Sequence, residues 1–399
     1  MKIIRACTVS QSVGFVRGML PDLCKKYEVV VLSSPGPELT EAGEVPGVRT
    51  IAVPMERHIS LKHDLVSLLT LIRVFRRERP DMVHSMTPKA GMLCMVAAWL
   101  TRVPVRVHTF TGLVFPTATG LKRRILMATD WLTCACATHV IPEGEGVKND
   151  LLNNGITKKP LRVLGYGNVR GIDLSYFCNV NVNGNVNGND NVNGNVNLNL
   201  NLNVKKSGVF TFLFVGRIVR DKGINELVRA FCRLHEQLPH TKLWLVGPYE
   251  DDLDPISEET RKAIAENDGI EAVGPKRGKD LLKYYAAADC FVFPSYREGF
   301  PNTVLEAGAM GLPSIVTDIN GSREIIKEGE NGLIVPPRDE EALYEAMLRM
   351  VNDTEARTAM AGNARKMIAD RFEQGFVRKC LYDFYDEILT SLKADNTKA

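Results

Sequence analysis

The sequence predicts an α/β protein made of two doubly wound, mostly parallel sheets. Two observations carry this. Short apolar runs alternate with amphipathic stretches in both halves of the chain. At 399 residues the chain is long for one domain and comfortable for two. Two such units joined by a hinge place a cleft between the carboxyl ends of their strands, where ligands bind in this architecture.

In the first half, Lys2–Cys7, Glu28–Ser33, Arg49–Val53, Met82–Ser85, Val105–Thr109 and His139–Ile141 read as strands. Val16–Lys26, His63–Arg79, Lys89–Thr101 and Leu121–Ala137 carry helical patterns between them. After Lys206 the alternation resumes, with strands expected at Val209–Val215, Lys242–Val246, Ile270–Val273, Cys290–Phe293, Ser314–Thr317 and Gly332–Val335. Helices are expected at Ile224–Gln237, Ser257–Asn267, Lys279–Ala287, Thr303–Met310, Ser322–Lys327 and Glu340–Asn352, and Asn363–Leu392 is helical and amphipathic. These readings divide the chain into residues 1–172, an exit and loop at 173–206, a second unit at 207–373 and a closing helix at 374–399. The loop is a low-complexity tract with Asn at every odd position from Asn179 to Asn203. It offers no apolar face large enough for a core, so a disordered surface loop without chemistry is expected.

Composition bounds the partners. The nine cysteines are scattered, and Cys134 with Cys136 lacks the second pair or nearby histidines of a metal site. A reduced, cytoplasmic setting fits that usage. The N-terminal MKIIRACTVSQ reads as a first strand and not as a signal peptide, and no apolar run reaches the ~18 residues of a membrane-spanning helix. The net charge of +3 hides an asymmetry: Met1–Cys178 carries 23 Lys and Arg against 14 Asp and Glu, and the remainder 27 against 33. A basic first half suits anionic lipid headgroups or a phosphorylated acceptor; a chance surface imbalance is the plain alternative. No nucleic-acid partner is expected.

The most informative stretch is Phe291–Pro313. A short strand is broken by Pro294, Gly299 and Pro301, and a helix then starts with Asn302 or Thr303 expected at its N-cap. Such a helix start is a good seat for a phosphate. Glu298 precedes it in the loop and Glu306 lies about one turn inside. An anion flanked by two carboxylates suggests a diphosphate with hydroxyl-rich ends, a nucleotide sugar. The bland alternative is a surface turn with two solvated glutamates. A second signal is Phe214–Gly223: after Gly216 turns the chain, Arg217 and Lys222 place two cations at a strand's carboxyl end, able to neutralise a diphosphate without a metal. Trp244–Pro248 and Ala272–Lys276 are strand exits that turn at Gly247 and Gly274.

The stretch E-G-F-P-N-T-V-L-E-A with the following G-L-P resembles the E-x7-E signature of the retaining GT-B glycosyltransferases of family 4, also called glycosyl transferases group 1. G-R-I-V-R-D-K-G resembles the family's donor loop, with Arg217 and Lys222 on its two basic positions. In the first half, Val53–Ser60, Val83–Gly91, Arg106–Gly112 and the hinge-like Gly165–Asp173 resemble the subset that builds capsule, O-antigen or N-linked oligosaccharides on a lipid diphosphate. The resemblance covers nearly all of the chain outside 179–204. It implies a GT-B fold, two Rossmann-like domains facing across a cleft, with Phe376–Leu392 returning to the first domain. It implies transfer of a sugar, with retention, from a nucleotide sugar (most often UDP-linked) to a lipid-linked saccharide, with no metal and no cofactor beyond the co-substrate. Arg217, Lys222 and Glu298 then fall on catalytic positions. Gly216, Gly247, Gly274, Gly299, Phe300, Pro301, Asn302, Thr303 and Glu306 line the donor, and Arg57, His84, Lys89 and Thr111 the acceptor.

The chain departs from the family where related sequences carry histidines at the positions of Met86 and Thr111. His108 or Thr111 is left to stand in for the histidine that contacts the transferred sugar, although an isolated histidine is more often a core or surface residue. The first loop, Ser10–Phe15, has one glycine where many relatives have more. These departures keep two alternatives open: a sugar-nucleotide epimerase on the same fold, and a catalytically silent nucleotide-sugar-binding subunit. Leu68–Arg79 and Leu121–Trp131 mix basic and bulky apolar residues. They suit either an interfacial helix on the cytoplasmic face of a membrane or an ordinary helix with a basic outer face.

Overall fold

The structure, a computed structural model, describes residues 1–56, 60–178, 208–252 and 254–396. Arg57 and the Asn-rich tract lie outside the described residues. Contacts divide the chain into two units, Met1–Gly171 with Gln374–Ala399, and Ile172–Glu373.

Unit 1 carries β1 (Lys2–Ala6), β2 (Glu28–Ser33), β3 (Val48–Ala52), β4 (Met82–Met86), β5 (Val105–Phe110) and β6 (His139–Pro142). They form one parallel sheet in the order β3-β2-β1-β4-β5-β6, the doubly wound arrangement. Its helices are α1 (Gly14–Arg17), α2 (Leu20–Cys24), α3 (Pro37–Gly43), α4 (Leu61–Glu78), α5 (Pro88–Leu100), α6 (Gly120–Cys136) and α7 (Glu145–Asn153). Successive strand residues feed opposite cores: Ile4, Val30 and Leu32 pack with α4 to α7, and Ile3, Val29 and Val31 with α1 to α3. Strands covered on both faces read as unbroken apolar runs, which is why they were legible.

Unit 2 repeats the pattern. Strands β7 (Phe210–Val215), β8 (Thr241–Val246), β9 (Ile270–Ala272), β10 (Cys290–Phe293), β11 (Ser314–Thr317) and β12 (Gly332–Val335) form a parallel sheet in the order β12-β11-β10-β7-β8-β9. Its helices are α8 (Ile224–Gln237), α9 (Glu258–Glu266), α10 (Gly278–Ala287), α11 (Asn302–Ala309), α12 (Ser322–Ile325), α13 (Glu340–Asn352) and α14 (Thr354–Phe372). On α8, Ile224, Leu227, Val228, Phe231 and Leu234 recur at helical spacing and are all buried.

The last helix, α15 (Gln374–Asn396), belongs to unit 1. Leu381, Phe384, Tyr385, Ile388 and Leu389 form one stripe that joins the core on the β1 to β6 sheet. The single helical tract expected at Asn363–Leu392 is broken at Glu373, whose backbone is extended. The break falls where Ile172 N–H donates to Phe372 O at 2.8 Å. The helix expected at Val16–Lys26 is likewise split into α1 and α2. Pro21 would clash with the carbonyl four residues earlier in a continuous helix, and it sits in the first turn of α2 instead. Helices α3 and α7 were not anticipated. Each buries only two residues, too few for a legible stripe.

Candidate active site

In unit 2 the exits of β7, β8 and β9 are stitched side by side. Gly216 N–H donates to Val246 O at 3.0 Å, Ile218 N–H to Pro248 O at 2.8 Å, and Gly247 N–H to Gly274 O at 3.1 Å. A Cβ on Gly247 would lie 1.8 Å from the Gly216 carbonyl oxygen, so this close approach of two backbones requires glycine. A second glycine joins the β7 exit to the β10 exit. Gly223 has φ 71°, and a Cβ there would lie 2.1 Å from Pro294 O. The loop carrying Lys222 is therefore seated directly on the loop carrying Glu298. Asp221 completes the clamp: its carbonyl accepts from Tyr296 N–H at 2.9 Å, and its carboxylate accepts from Arg297 at 3.2 Å.

The charged side chains meet at this junction. Lys222 Nζ pairs with Glu298 Oε1, and Ser295 Oγ donates to the same oxygen at 2.7 Å. The Lys222 and Glu298 side chains are only 12% and 16% exposed, and Nζ sits 5.4 Å from the centre of the Phe293 ring. Arg217, at the same strand end, is more open and pairs with Glu250 Oε2 at 2.6 Å.

Behind the Glu298 loop, α11 starts one residue earlier than expected. Pro301 is the N-cap, its carbonyl accepting from Val304 N–H at 3.1 Å, and Asn302 and Thr303 are the first helical residues. Neither Asn302 nor Thr303 is the cap: Pro301, with ψ 106°, already supplies the non-helical turn. Their amides still lie at the positive end of the helix dipole. Gly299 belongs to the bend that feeds this start, and Phe300 is buried edge-on to Phe372 with ring centres 5.3 Å apart. Glu306 is not a solvated glutamate. It is buried, and Tyr285 OH on α10 donates to its Oε2 at 3.0 Å. Burial first, and the Glu306 charge second, push the nearby Tyr176 phenol up.

The first-half candidates are placed differently. His84 is a core residue and not an acceptor contact. Its Nδ1 meets Tyr385 OH and, at 2.9 Å, Arg5; its Nε2 meets Thr109 Oγ1 at 2.7 Å. Both ring nitrogens are thus used beneath α15, and burial, then Arg5, hold its pKa well below the ordinary value. The alternation along β4 decides this, because His84 points to the face that α15 covers. Met86 lies on that same face, buried with its sulfur 3.2 Å from Arg5. A histidine at 86 would start from an interior direction too. His108 is also buried, on the opposite face, with Nδ1 2.8 Å from Ser85 Oγ and its ring against Gly91 of α5. Burial brings its pKa down to about 3, so it is neutral at pH 7. Lys89, in the first turn of α5, pairs with Asp64 of α4 at 2.7 Å. Thr111 follows β5 and is half-buried.

Three partners escaped sequence reasoning. Ser295, Tyr285 and Glu250 orient Glu298, Glu306 and Arg217. Ser295 stands three residues before Glu298 inside the stretch singled out, so a signal was present. Tyr285 and Glu250 come from other loops or helices, and only the tertiary fold brings them in.

Two parallel doubly wound units, one with paired cations and carboxylates at its strand exits, define a GT-B protein. Two family profiles agree: "Glycosyl transferases group 1" matches residues 200–367, and "Glycosyl transferase 4-like domain" matches residues 16–167. The chain belongs to this glycosyltransferase family. It is 32% identical over 391 residues to the capsular polysaccharide biosynthesis glycosyltransferase CapM of Staphylococcus aureus, covering 97% of each chain. It is 28% identical to the UDP-Gal:alpha-D-GlcNAc-diphosphoundecaprenol alpha-1,3-galactosyltransferase of Escherichia coli, covering 82% of this chain and 80% of the relative. Among solved structures it resembles sucrose-phosphate synthase of Thermosynechococcus elongatus, with TM-score 0.78 and 21% identity over 98% of this chain and 100% of that one. HepE of Anabaena in complex with UDP follows, with TM-score 0.74 and 17% identity over 97% and 100%. At these identities the likeness to solved structures speaks for the fold alone.

Proposed function

We propose that this glycosyltransferase moves a sugar from a UDP-sugar to a hydroxyl of a lipid-diphosphate-linked saccharide, with retention at the anomeric carbon. The observation that carries the reading is the junction at which Lys222 and Glu298 meet, with Arg217 on the same strand exit. In the reaction the bond from the anomeric carbon to the β-phosphate oxygen breaks, and its electron pair leaves with UDP. The acceptor oxygen bonds to the same face of the sugar, and its proton passes to the departing phosphate. Lys222, Arg217 and the start of α11 oppose the charge that develops on the diphosphate, the kind of term that is often the largest in catalysis. They supply it as side chains and a helix dipole, so the reading requires no metal and no cofactor. Glu298 accepts hydrogen bonds from sugar hydroxyls, and Glu306, oriented by Tyr285, from the ribose. His108, Thr111 and Lys89 remain the unit 1 groups for sugar and acceptor.

The choice of donor and acceptor follows the two relatives, one named for a UDP-sugar and a diphosphoundecaprenol acceptor, the other for capsular polysaccharide biosynthesis. A protein acting on such acceptors works at the cytoplasmic face of a membrane. The test is mass analysis of products from a panel of UDP-sugars with lipid-diphosphate saccharides. A lengthened saccharide supports the proposal. Free epimerised nucleotide sugar would replace it with an epimerase, and tight UDP binding without product with a silent binding subunit.

A further inference from the structure

The acidic run E-D-D-L-D, residues 250–254, lies between β8 and α9 and contributes only Glu250 to the site described so far. Such a run suggests a cation seat. Among the described residues, however, no group of His, Cys, Asp and Glu is arranged to hold a metal ion. Three of the run's carboxylates are instead paired with arginines: Glu250 with Arg217, Asp251 with Arg261 and Asp254 with Arg220. Two of those arginines, Arg217 and Arg220, belong to the loop at the β7 exit that also carries Lys222.

Asp254 does more than pair. Lys222 is presented by a single 3-10 turn, Arg220–Lys222, between Val219 in extended conformation and Gly223 at φ 71°. A turn this short closes few bonds of its own: Lys222 N–H donates to Val219 O at 3.3 Å and Gly223 N–H to Arg220 O at 2.9 Å. Its first amides need acceptors from outside, which a short polar side chain just before the turn ordinarily supplies. Val219 has no side-chain oxygen to offer. Asp254, 33 residues from Asp221, takes that place: its Oδ2 accepts from Asp221 N–H at 2.6 Å, and its carbonyl accepts from Arg220 N–H at 3.2 Å. Two further ties join the same segments. Ile218 N–H donates to Pro248 O at 2.8 Å, and Ser257 N–H donates to Asn225 Oδ1 at 3.1 Å. The capped residue matters in turn, because Asp221 holds the β10 exit through Tyr296 and Arg297, on the approach to Glu298.

We propose that Asp254 is a positioning residue: it caps the Arg220–Lys222 turn from outside and so fixes the place from which Lys222 meets Glu298 and the donor diphosphate. Only the diphosphate rests on the proposed function; the cap and the Lys222–Glu298 junction do not. The bond to the Asp221 amide carries this role, and the ion pair with Arg220 is secondary. Arg220 is 67% exposed, where solvent screens the pair, whereas the bond to Asp221 N–H is partly buried.

The experiment joins hydrogen exchange at the Asp221 amide, read on the full-length protein without nucleotide, to transfer kinetics. D254A is expected to speed that exchange by about tenfold or more. It is expected to lower kcat/KM by about 10²-fold, the cost of a misplaced group. D254N keeps an oxygen for the amide and should stay within about threefold of the wild type in both readouts, and R220A should do the same. In a K222A background D254A should lower kcat/KM no further, because it acts through Lys222. A loss that was merely structural would appear in both backgrounds. If D254A does not fold, D254S takes its place, its oxygen drawn back by one bond from the amide. Unchanged exchange in D254A overturns the proposal. So does R220A that matches D254A, which would make the ion pair the working contact, or faster exchange in D254A with transfer intact. Exchange is read with no donor or acceptor, so the cap can stand where transfer is absent, and wild-type transfer can stand where the cap fails.

Discussion

Lys222 and Glu298, from the exits of β7 and β10, form an ion pair whose acceptor oxygen is also held by Ser295 at 2.7 Å. Both side chains are mostly buried, so removing one leaves the other as an uncompensated charge. K222A and E298A are each expected to lower kcat/KM for transfer by about 10²–10³-fold. In urea denaturation each single variant should lose stability and the double variant should regain part of it, with a coupling of about 1–3 kcal/mol. Additive losses would mean that the two groups do not act as a pair.

Tyr285 is expected to act on the donor through Glu306. Y285F removes the hydrogen bond to Oε2 and leaves the ring in place. Hydrogen bonds to charged groups contribute about 1.5–3 kcal/mol, so UDP binding by calorimetry should weaken by about tenfold or more while kcat changes little. An unchanged affinity would remove Glu306 from the nucleotide site.

G223A should damage unit 2 more than its size suggests. The added carbon would meet Pro294 O at 2.1 Å, at a φ of 71° that alanine adopts only under strain. A loss of at least about 2 kcal/mol in denaturant, with loss of UDP binding, is the expected outcome, since the Lys222 and Glu298 loops are seated together there.

The pH dependence of stability contains a term from Asp130. Burial pushes its carboxyl up to about 7, against 3.8 ordinarily. The native state thus keeps a proton that the unfolded chain releases, and this contribution is full below about pH 4 and lost as pH rises to about 7. D130N should therefore match the wild type near pH 4 and exceed it at pH 8, by at most about 4 kcal/mol in urea melts. His84 and His108 work the other way. Both are neutral when folded and charge when unfolded, so their contribution falls as pH drops below about 6.5 in wild type and variant alike.

The inner β-strands were legible because they are buried on both faces and bounded by turn residues, and the largely exposed edge strands β3 and β9 were read from their place in the alternation. The Glu298 and Lys222 motifs were legible because loop chemistry sits in one short segment of sequence. His84 was not legible: whether β4 presents it to a ligand or to the core depends on α15, almost 300 residues later, and on Tyr385 within it. The start of α11 was misplaced by one residue because Pro301 caps as well as Asn302 could.

The most direct test is a crystal structure with UDP bound. The diphosphate is expected within hydrogen-bond distance of Lys222 and Arg217 at the start of α11, with the ribose at Glu306. A nucleotide bound elsewhere, with both cations still paired to Glu298 and Glu250, would contradict the assignment of the site.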